Sequence, residues 1–337
     1  MKYCLVVPTY HAHYNQVDIL LNSFSINCLD KNIIPIRLII SKYDENLFNQ
    51  LVNKYDDLDL KCEILSNIIK NVDNQDIDEN ILLGQTGKYN FQSIKKLYGA
   101  KIVNADITLV TDSESILVKP CYFEDIFLNF QKNKFIIHSK MHKKQGNIQA
   151  KITNGNFARI FQTIPEDKWF LDSQYWFYEK NILNDFFNKI KNIHNKFLYQ
   201  LMIGTDPTFD FALYSTYIYL HNNYGYKFLD MDKIIENKMG NQKYRNYLGN
   251  SQASTAFEYF IWDLTNDNFE LFKEIYSEYE LLFFKYDDRF RNNQLLQQQF
   301  VQETNIKMLS CRVTCDEFEI NGFKIPVNHK NNQPILK

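Results

Sequence analysis

The chain has 337 residues, 45% of them hydrophobic, and a formal net charge of −2. That length supports one large domain or two smaller ones around a substantial core, and the composition excludes a disordered chain. Near-neutral charge argues against a general polyanion binder, so no nucleic-acid partner is expected.

Phe and Tyr are abundant (27 and 22) while Gly, Pro and Trp are scarce. An AT-rich coding sequence produces this bias, so the aromatics read as core packing. The six cysteines are Cys4, Cys28, Cys62, Cys121, Cys311 and Cys315. Only the last two are close, and without a second pair or a nearby His they are a poor zinc signal. Reduced thiols are expected. No run approaches the ~20 apolar residues of a membrane span. A strand signal starting at residue 3 leaves no room for a targeting peptide. The expected location is cytoplasmic, with peripheral contact at the inner face of the cytoplasmic membrane left open.

Residues 3–7 form a β-favouring apolar run that ends in Pro8-Thr9-Tyr10. Apolar residues then recur at helical spacing over 17–24, and a second strand follows at 35–41. Residues 44–55 read as a helix and 60–65 as a third strand. The acidic, Asn-rich stretch 69–80 reads as a loop. A helix over 91–103 precedes a fourth strand at 107–110, and a helix at 123–130 precedes a fifth strand at 135–137. This alternation predicts an α/β fold with a mostly parallel sheet, helices on both faces and every strand's carboxyl end on one rim.

Beyond residue 140 the character changes. Residues 138–156 read as a polar surface loop; 185–201, 210–222 and 253–282 read as helices; 311–325 reads as a short hairpin. Two regions are expected: a core over 1–140, and a helix-rich part over 141–337 packed on it.

The fourth strand ends in Asp112-Ser113-Glu114. In open α/β sheets ligands bind at the carboxyl ends of strands. Two carboxylates two residues apart can converge on one point, and a divalent cation relieves their repulsion while gripping a diphosphate. The bland alternative is a solvated turn, which Asp and Ser favour. Gln92 and Lys96 are four apart on the preceding helix and share a face.

Four features stand in order: Val6-Val7-Pro8-Thr9-Tyr10, Gln92 with Lys96-Leu97, Asp112-Ser113-Glu114 followed by Lys119-Pro120, and Phe209 to Tyr214 opening a helix. Over residues 3–225 this combination resembles the GT-A class of nucleotide-sugar glycosyltransferases, in particular bacterial capsule and surface-polysaccharide enzymes with a DUF6492-like domain. The resemblance implies a Rossmann-like GT-A core and a helical acceptor or lid region. It implies that Pro8, Thr9 and Tyr10 meet the nucleotide, that Gln92, Lys96, Asp112 and Ser113 bind the donor, and that Asp112 and Glu114 hold Mn2+ or Mg2+. The common pattern has Asp in the second acidic place, and Glu is still a competent oxygen ligand. Asp210 falls where similar enzymes carry the base of an inverting transfer, with Asp206 and Asp172 as rivals. The implied partners are a nucleotide-sugar donor and a glycan acceptor, and a homodimer is compatible.

Trp169, Tyr175 and Trp176 are candidate sugar platforms, though core burial suits them as well; His138 and His221 are candidate extra metal ligands. Three alternatives stay open. A phosphoryl-transferring enzyme also uses acid-x-acid, usually on its first strand. A nucleotidyltransferase usually carries a Gly-rich loop that Pro8-Thr9-Tyr10-His11-Ala12 lacks. A non-catalytic carbohydrate-binding protein would keep the fold alone.

Overall fold

The computed structural model describes residues 1–139, 144–163, 170, 176–221, 224–250, 265–286, 294–311, 317–320 and 323–326. Its centre is a five-stranded sheet. Strands β1 (Tyr3–Pro8), β2 (Ile36–Ile40), β3 (Leu60–Ile64) and β4 (Ile107–Val110) run parallel in the order β3-β2-β1-β4. A fifth strand, Phe177–Glu179, pairs antiparallel with β4. Every residue of β1 and β4 is buried, as expected of strands covered on both faces. Val6 pairs with Val110 and Pro8 with Ile39, so the carboxyl ends of β1, β2 and β4 stand level.

Helices α1 (Tyr14–Asn27) and α2 (Glu45–Lys54) connect the first three strands. Two more, α3 (Leu65–Asp73) and α4 (Glu79–Ile102), lie between β3 and β4. The Asp78 carboxylate caps α4 by accepting from the backbone N–H groups of Asn80 and Ile81. The helix bends at Gly87, whose φ of 68° is a conformation that suits a residue without Cβ.

Four expectations need correction. The stretch 69–80 is mostly helical, because Leu65, Ile68 and Ile69 bury an apolar stripe against the core despite the Asn and Asp around them. Residues 135–138 form a strand outside the central sheet; it pairs in parallel with Lys227–Asp230. The central sheet takes Phe177–Glu179 at its β4 edge instead, and the N–H of Val110 donates to the Trp176 carbonyl. The polar stretch 138–156 enters a helix, Lys144–Phe161. Finally, the helix expected over 185–201 is Lys180–His194, closed by Asn195 at a φ of 50°, and then a short turn of helix, Leu198–Leu201.

Other expectations hold. Residues 210–221 are helical, and Glu317–Ile320 pairs antiparallel with Phe323–Pro326 in the expected tail hairpin. Within 253–282 the described helix is Asn266–Glu278; residues 253–264 lie outside the described residues. After β4 the chain forms a short strand, Ser115–Leu117, which pairs with Met308–Cys311. The architecture is therefore mixed α/β, a mostly parallel central sheet flanked by helices.

Candidate active site

The level ends of β1 and β4 place Pro8-Thr9-Tyr10 and Asp112-Ser113-Glu114 on one rim. Helix α4 passes behind it and presents Gln92 and Lys96. Lys96 is only 6% exposed, yet its Nζ lies 2.9 Å from Asp112 Oδ1 and 3.8 Å from Asp210 Oδ1. Asp210 opens the helix Asp210–His221, so a residue about a hundred positions along the chain closes the cluster. Burial works against the Lys96 charge, but Asp112 and Asp210 outweigh it, and its pKa stands above the ordinary lysine value.

Asp112 is the most open member, with 23% of its side chain exposed. It also accepts a long hydrogen bond, 3.5 Å, from Gln92 Nε2. Asp210 is buried, and its Oδ2 accepts a 2.5 Å hydrogen bond from the Tyr178 hydroxyl. Burial raises the Asp210 pKa, with the Lys96 charge and the Tyr178 hydrogen bond opposing. The face of the Trp176 ring lies 4.2 Å under the Lys96 ammonium. That ring is spent on the cation and is no open sugar platform.

Glu114 turns inward and is buried. Its Oε2 accepts from the Ser113 hydroxyl at 3.0 Å, and its Oε1 lies 3.7 Å from His13 Nδ1. His13 Nδ1 is also 2.5 Å from Ser113 Oγ. With the Ser113 proton given to Glu114, the His13 proton points at Ser113 Oγ, a tautomer assigned from the network. Burial and then the Asp112 charge push the Glu114 carboxyl up to about 7.

On the β1 side, Pro8 and Thr9 are buried and Tyr10 is 36% exposed. The Tyr10 ring leans on the His13 ring at 4.4 Å. The Thr9 carbonyl accepts from Lys95 Nζ at 2.8 Å.

The predicted residues thus fall into two contact groups. Gln92, Lys96, Asp112 and Asp210 touch one another; Ser113 and Glu114 form a second group with His13. Pro8, Thr9 and Tyr10 share the rim without a direct bond to the Lys96 cluster among the described contacts. Asp206 is exposed, whereas Asp210 faces the ammonium. Asp172, Trp169 and Tyr175 lie outside the described residues. His221 bonds the Tyr217 carbonyl one turn back on its own helix, and His138 sits buried beside Phe170. Sequence reasoning missed His13, Tyr178 and the true partner of Trp176, which reach the rim from separate elements. It also missed Asn90, although Asn90, Ser93 and Lys96 recur every three residues along one side of α4.

A metal would meet hard oxygen donors here: the partly open Asp112 carboxylate, Glu114 and the Ser113 hydroxyl. Among the described residues no group of three His, Cys, Asp or Glu gathers to hold an ion alone. Two carboxylates suffice where substrate phosphates and water complete the shell, as for Mg2+. The donor types fit, with the Lys96 ammonium already on Asp112 and the Glu114 oxygens turned to Ser113 and His13.

No family model matches the chain, and no curated protein matches it in sequence. Several solved structures resemble it loosely. S. aureus TarS in complex with UDP-GlcNAc is 19% identical over 55% of this chain and 47% of that chain, with a TM-score of 0.30. Mouse xyloside xylosyltransferase 1 is 8% identical over 74% and 94%, with a TM-score of 0.40. The mannosyltransferase PcManGT from Pyrobaculum calidifontis, in complex with GDP-Man and Mn2+, is 10% identical over 55% and 46%, with a TM-score of 0.30. The chain spans about half the length of the TarS structure. At such scores the chemistry of the rim rests on its own geometry.

Proposed function

We propose that this protein is a glycosyltransferase that moves a sugar from a nucleoside-diphosphate sugar to a hydroxyl of a growing bacterial surface glycan. One observation carries the reading: Asp112 and Asp210, from distant parts of the chain, meet one buried ammonium, Lys96, at the rim where β1 and β4 end. Ligands of open α/β sheets bind at that edge. A cation buried there between two acids matches a substrate that brings negative charge and a reaction that moves a proton.

In this reading Pro8, Thr9 and Tyr10 border the nucleoside, and Gln92 and Lys96 meet the diphosphate beside Asp112. Asp112 and Glu114 would hold Mn2+ or Mg2+, which would supply positive charge beside the leaving diphosphate. Asp210 takes the proton of the acceptor hydroxyl as its oxygen bonds the anomeric carbon. The electron pair of the breaking C–O bond leaves with the diphosphate, so the configuration inverts. Burial raises the Asp210 pKa and makes it a stronger base than an exposed Asp. Residues 1–140 form the donor side and 141–337 the acceptor side, in a cytoplasmic protein that meets its glycan at the membrane face, alone or as a homodimer.

The test is a thermal-shift panel of UDP, GDP, CMP and dTDP with and without Mn2+. One nucleotide near 100 times its Kd stabilises the native state by about 2.7 kcal/mol, which raises Tm by several degrees. Asp112→Ala removes the Mn2+-dependent part of that shift. If no nucleotide moves Tm and no nucleotide sugar is hydrolysed, the reading is wrong. Product of retained anomeric configuration removes the role given to Asp210.

A further inference from the structure

Asp210 is delivered to Lys96 by the segment 202–209, which has no regular secondary structure beyond its first turn. Side chains must therefore hold it. One residue dominates. Asn90 on α4 is 1% exposed. Its Nδ2 donates to the Thr205 carbonyl at 3.0 Å and the Thr205 hydroxyl at 3.1 Å, with the Met202 and Asp206 carbonyls at 3.3 Å. Its Oδ1 accepts from the Thr208 N–H at 2.7 Å. Both ends of one carboxamide thus grip the segment.

Ser93, one turn on, donates to the Thr208 carbonyl at 2.7 Å and lies 3.5 Å from Asp210 Oδ1. Lys96 follows at the same interval and meets Asp210 itself. Asn90, Ser93 and Lys96 form a ladder along α4 that reads residues 202–210 rung by rung. Gly87 bends α4 just before the first rung.

We propose that Asn90 is a positioning residue for the transfer reaction: its carboxamide sets the register of residues 202–208, and so the place of the Asp210 carboxylate against Lys96. The proposal rests on Asp210 acting as the base. Asn90 and Ser93 lie on the Asp210 side of Lys96, and among the described residues their hydrogen bonds go to residues 202–210 and none to Pro8, Thr9 or Tyr10. A displaced rung therefore moves the base and leaves the nucleotide side as it was. A shift of about 1 Å costs about 100-fold in rate.

The experiment uses the full chain and the nucleotide sugar that its hydrolysis selects from UDP-, GDP-, CMP- and dTDP-linked hexoses. Asn90→Ala lowers kcat about 30- to 100-fold, while KM and the Kd for the free nucleoside diphosphate stay within about twofold. Asn90→Asp keeps the acceptor for the Thr208 N–H but turns a second oxygen on the Met202, Thr205 and Asp206 carbonyls, so it loses kcat at least as far as Asn90→Ala. Ser93→Ala removes the neighbouring rung, lowers kcat about 3- to 10-fold with the same split, and serves if Asn90→Ala fails to fold. Equal losses in kcat and nucleotide affinity, or an unchanged kcat in a folded variant, overturn the positioning role. Asp210→Asn separates the two ideas. Full activity there, or no hydrolysis of any donor by the native chain, refutes the base and the proposal with it; an inactive Asp210→Asn beside fully active Asn90 and Ser93 variants refutes only the positioning role.

Discussion

Lys95 and Lys96 are consecutive on α4 and almost equally buried, at 3% and 6% exposure. Their surroundings differ because successive residues on a helix point about 100° apart. Lys96 has Asp112 at 2.9 Å and Asp210 at 3.8 Å, and its pKa rises in spite of burial. Lys95 points the other way, to the Thr9 carbonyl at 2.8 Å and the Phe91 ring at 5.1 Å. There burial wins and pulls the Lys95 pKa down to about 8, with Asp44 and Glu79 opposing too weakly. Those acids are engaged elsewhere: Asp44 with His11 at 3.1 Å, and Glu79 with the backbone N–H groups of Lys42 and Ser66. Burial alone does not decide what a lysine does; how closely a carboxylate approaches its ammonium does. Lys96 is a chemical group of the rim, and Lys95 is a tie between the rim and α4.

The sharpest way to break this contrast is to remove each ammonium in turn. Lys96→Met leaves Asp112 and Asp210 facing each other without their cation. A buried ion pair that loses one partner costs about 3 kcal/mol or more. Urea unfolding reads that loss, and donor hydrolysis falls about 100-fold in the folded fraction. Lys95→Met loses one hydrogen bond to a neutral carbonyl and also removes a poorly hosted charge. These effects oppose, so its stability at pH 7 stays within about 1 kcal/mol of the native chain. Equal losses of hydrolysis in both variants would erase the distinction.

The contrast also shows what the sequence could reveal. Four strands, α1, α2 and the latter part of α4 were legible because apolar periodicity is local. The stripe Leu65, Ile68, Ile69 and Val72 carried a clear helical period as well, and the Asn and Asp residues around it obscured it. Phe177–Glu179 left no such trace, since three residues hold no period and its place depends on the free edge of β4. The same division holds at the rim. Asp112 was nameable from residue type and place, and Gln92, Lys96 and Asp210 through the family resemblance that their order supports. Tyr178, His13 and the pairing of Trp176 with Lys96 were not, because each contact forms only when distant elements pack. Lys95 carried no signal of its own in the sequence, and the fold buries it beside Lys96.

Titration sharpens the comparison. The folded-state pKa of Lys95, about 8, lies below its ordinary 10.5. Between those values the unfolded chain binds more protons than the native one, so stability from this site rises with pH. The penalty for the buried ammonium is fully present below about pH 8 and is lost as pH climbs toward 10.5. Between pH 8 and 10 the gain is about 2 kcal/mol. Urea melts of the native chain and Lys95→Met across that range read it as a difference, since the tyrosines titrate in both. A difference that stays flat would mean that Lys95 is hydrated in solution.

The smallest change acts on how closely α4 sits against the sheet. Gly99 lies one turn beyond Lys95 on the same face. A Cβ there would stand 2.6 Å from Ile39 Cγ1 and 3.1 Å from Val6 Cγ1, inside the contact distance of carbon atoms. Ile39 and Val6 belong to β2 and β1; Thr9 follows β1, and its N–H donates to the Ile39 carbonyl. Gly99→Ala therefore forces Ile39 to another rotamer or α4 away from the sheet, at about 1 to 2 kcal/mol against the small helical preference for Ala. The displacement loosens the packing around Lys95 before it reaches Lys96, whose partners lie on β4's end and on the Asp210 helix. The expected result is a lower urea midpoint, a smaller rise in stability from pH 8 to 10, and donor hydrolysis within about threefold of the native rate. Loss of hydrolysis with an intact pH response would reverse the assignment of the two lysines.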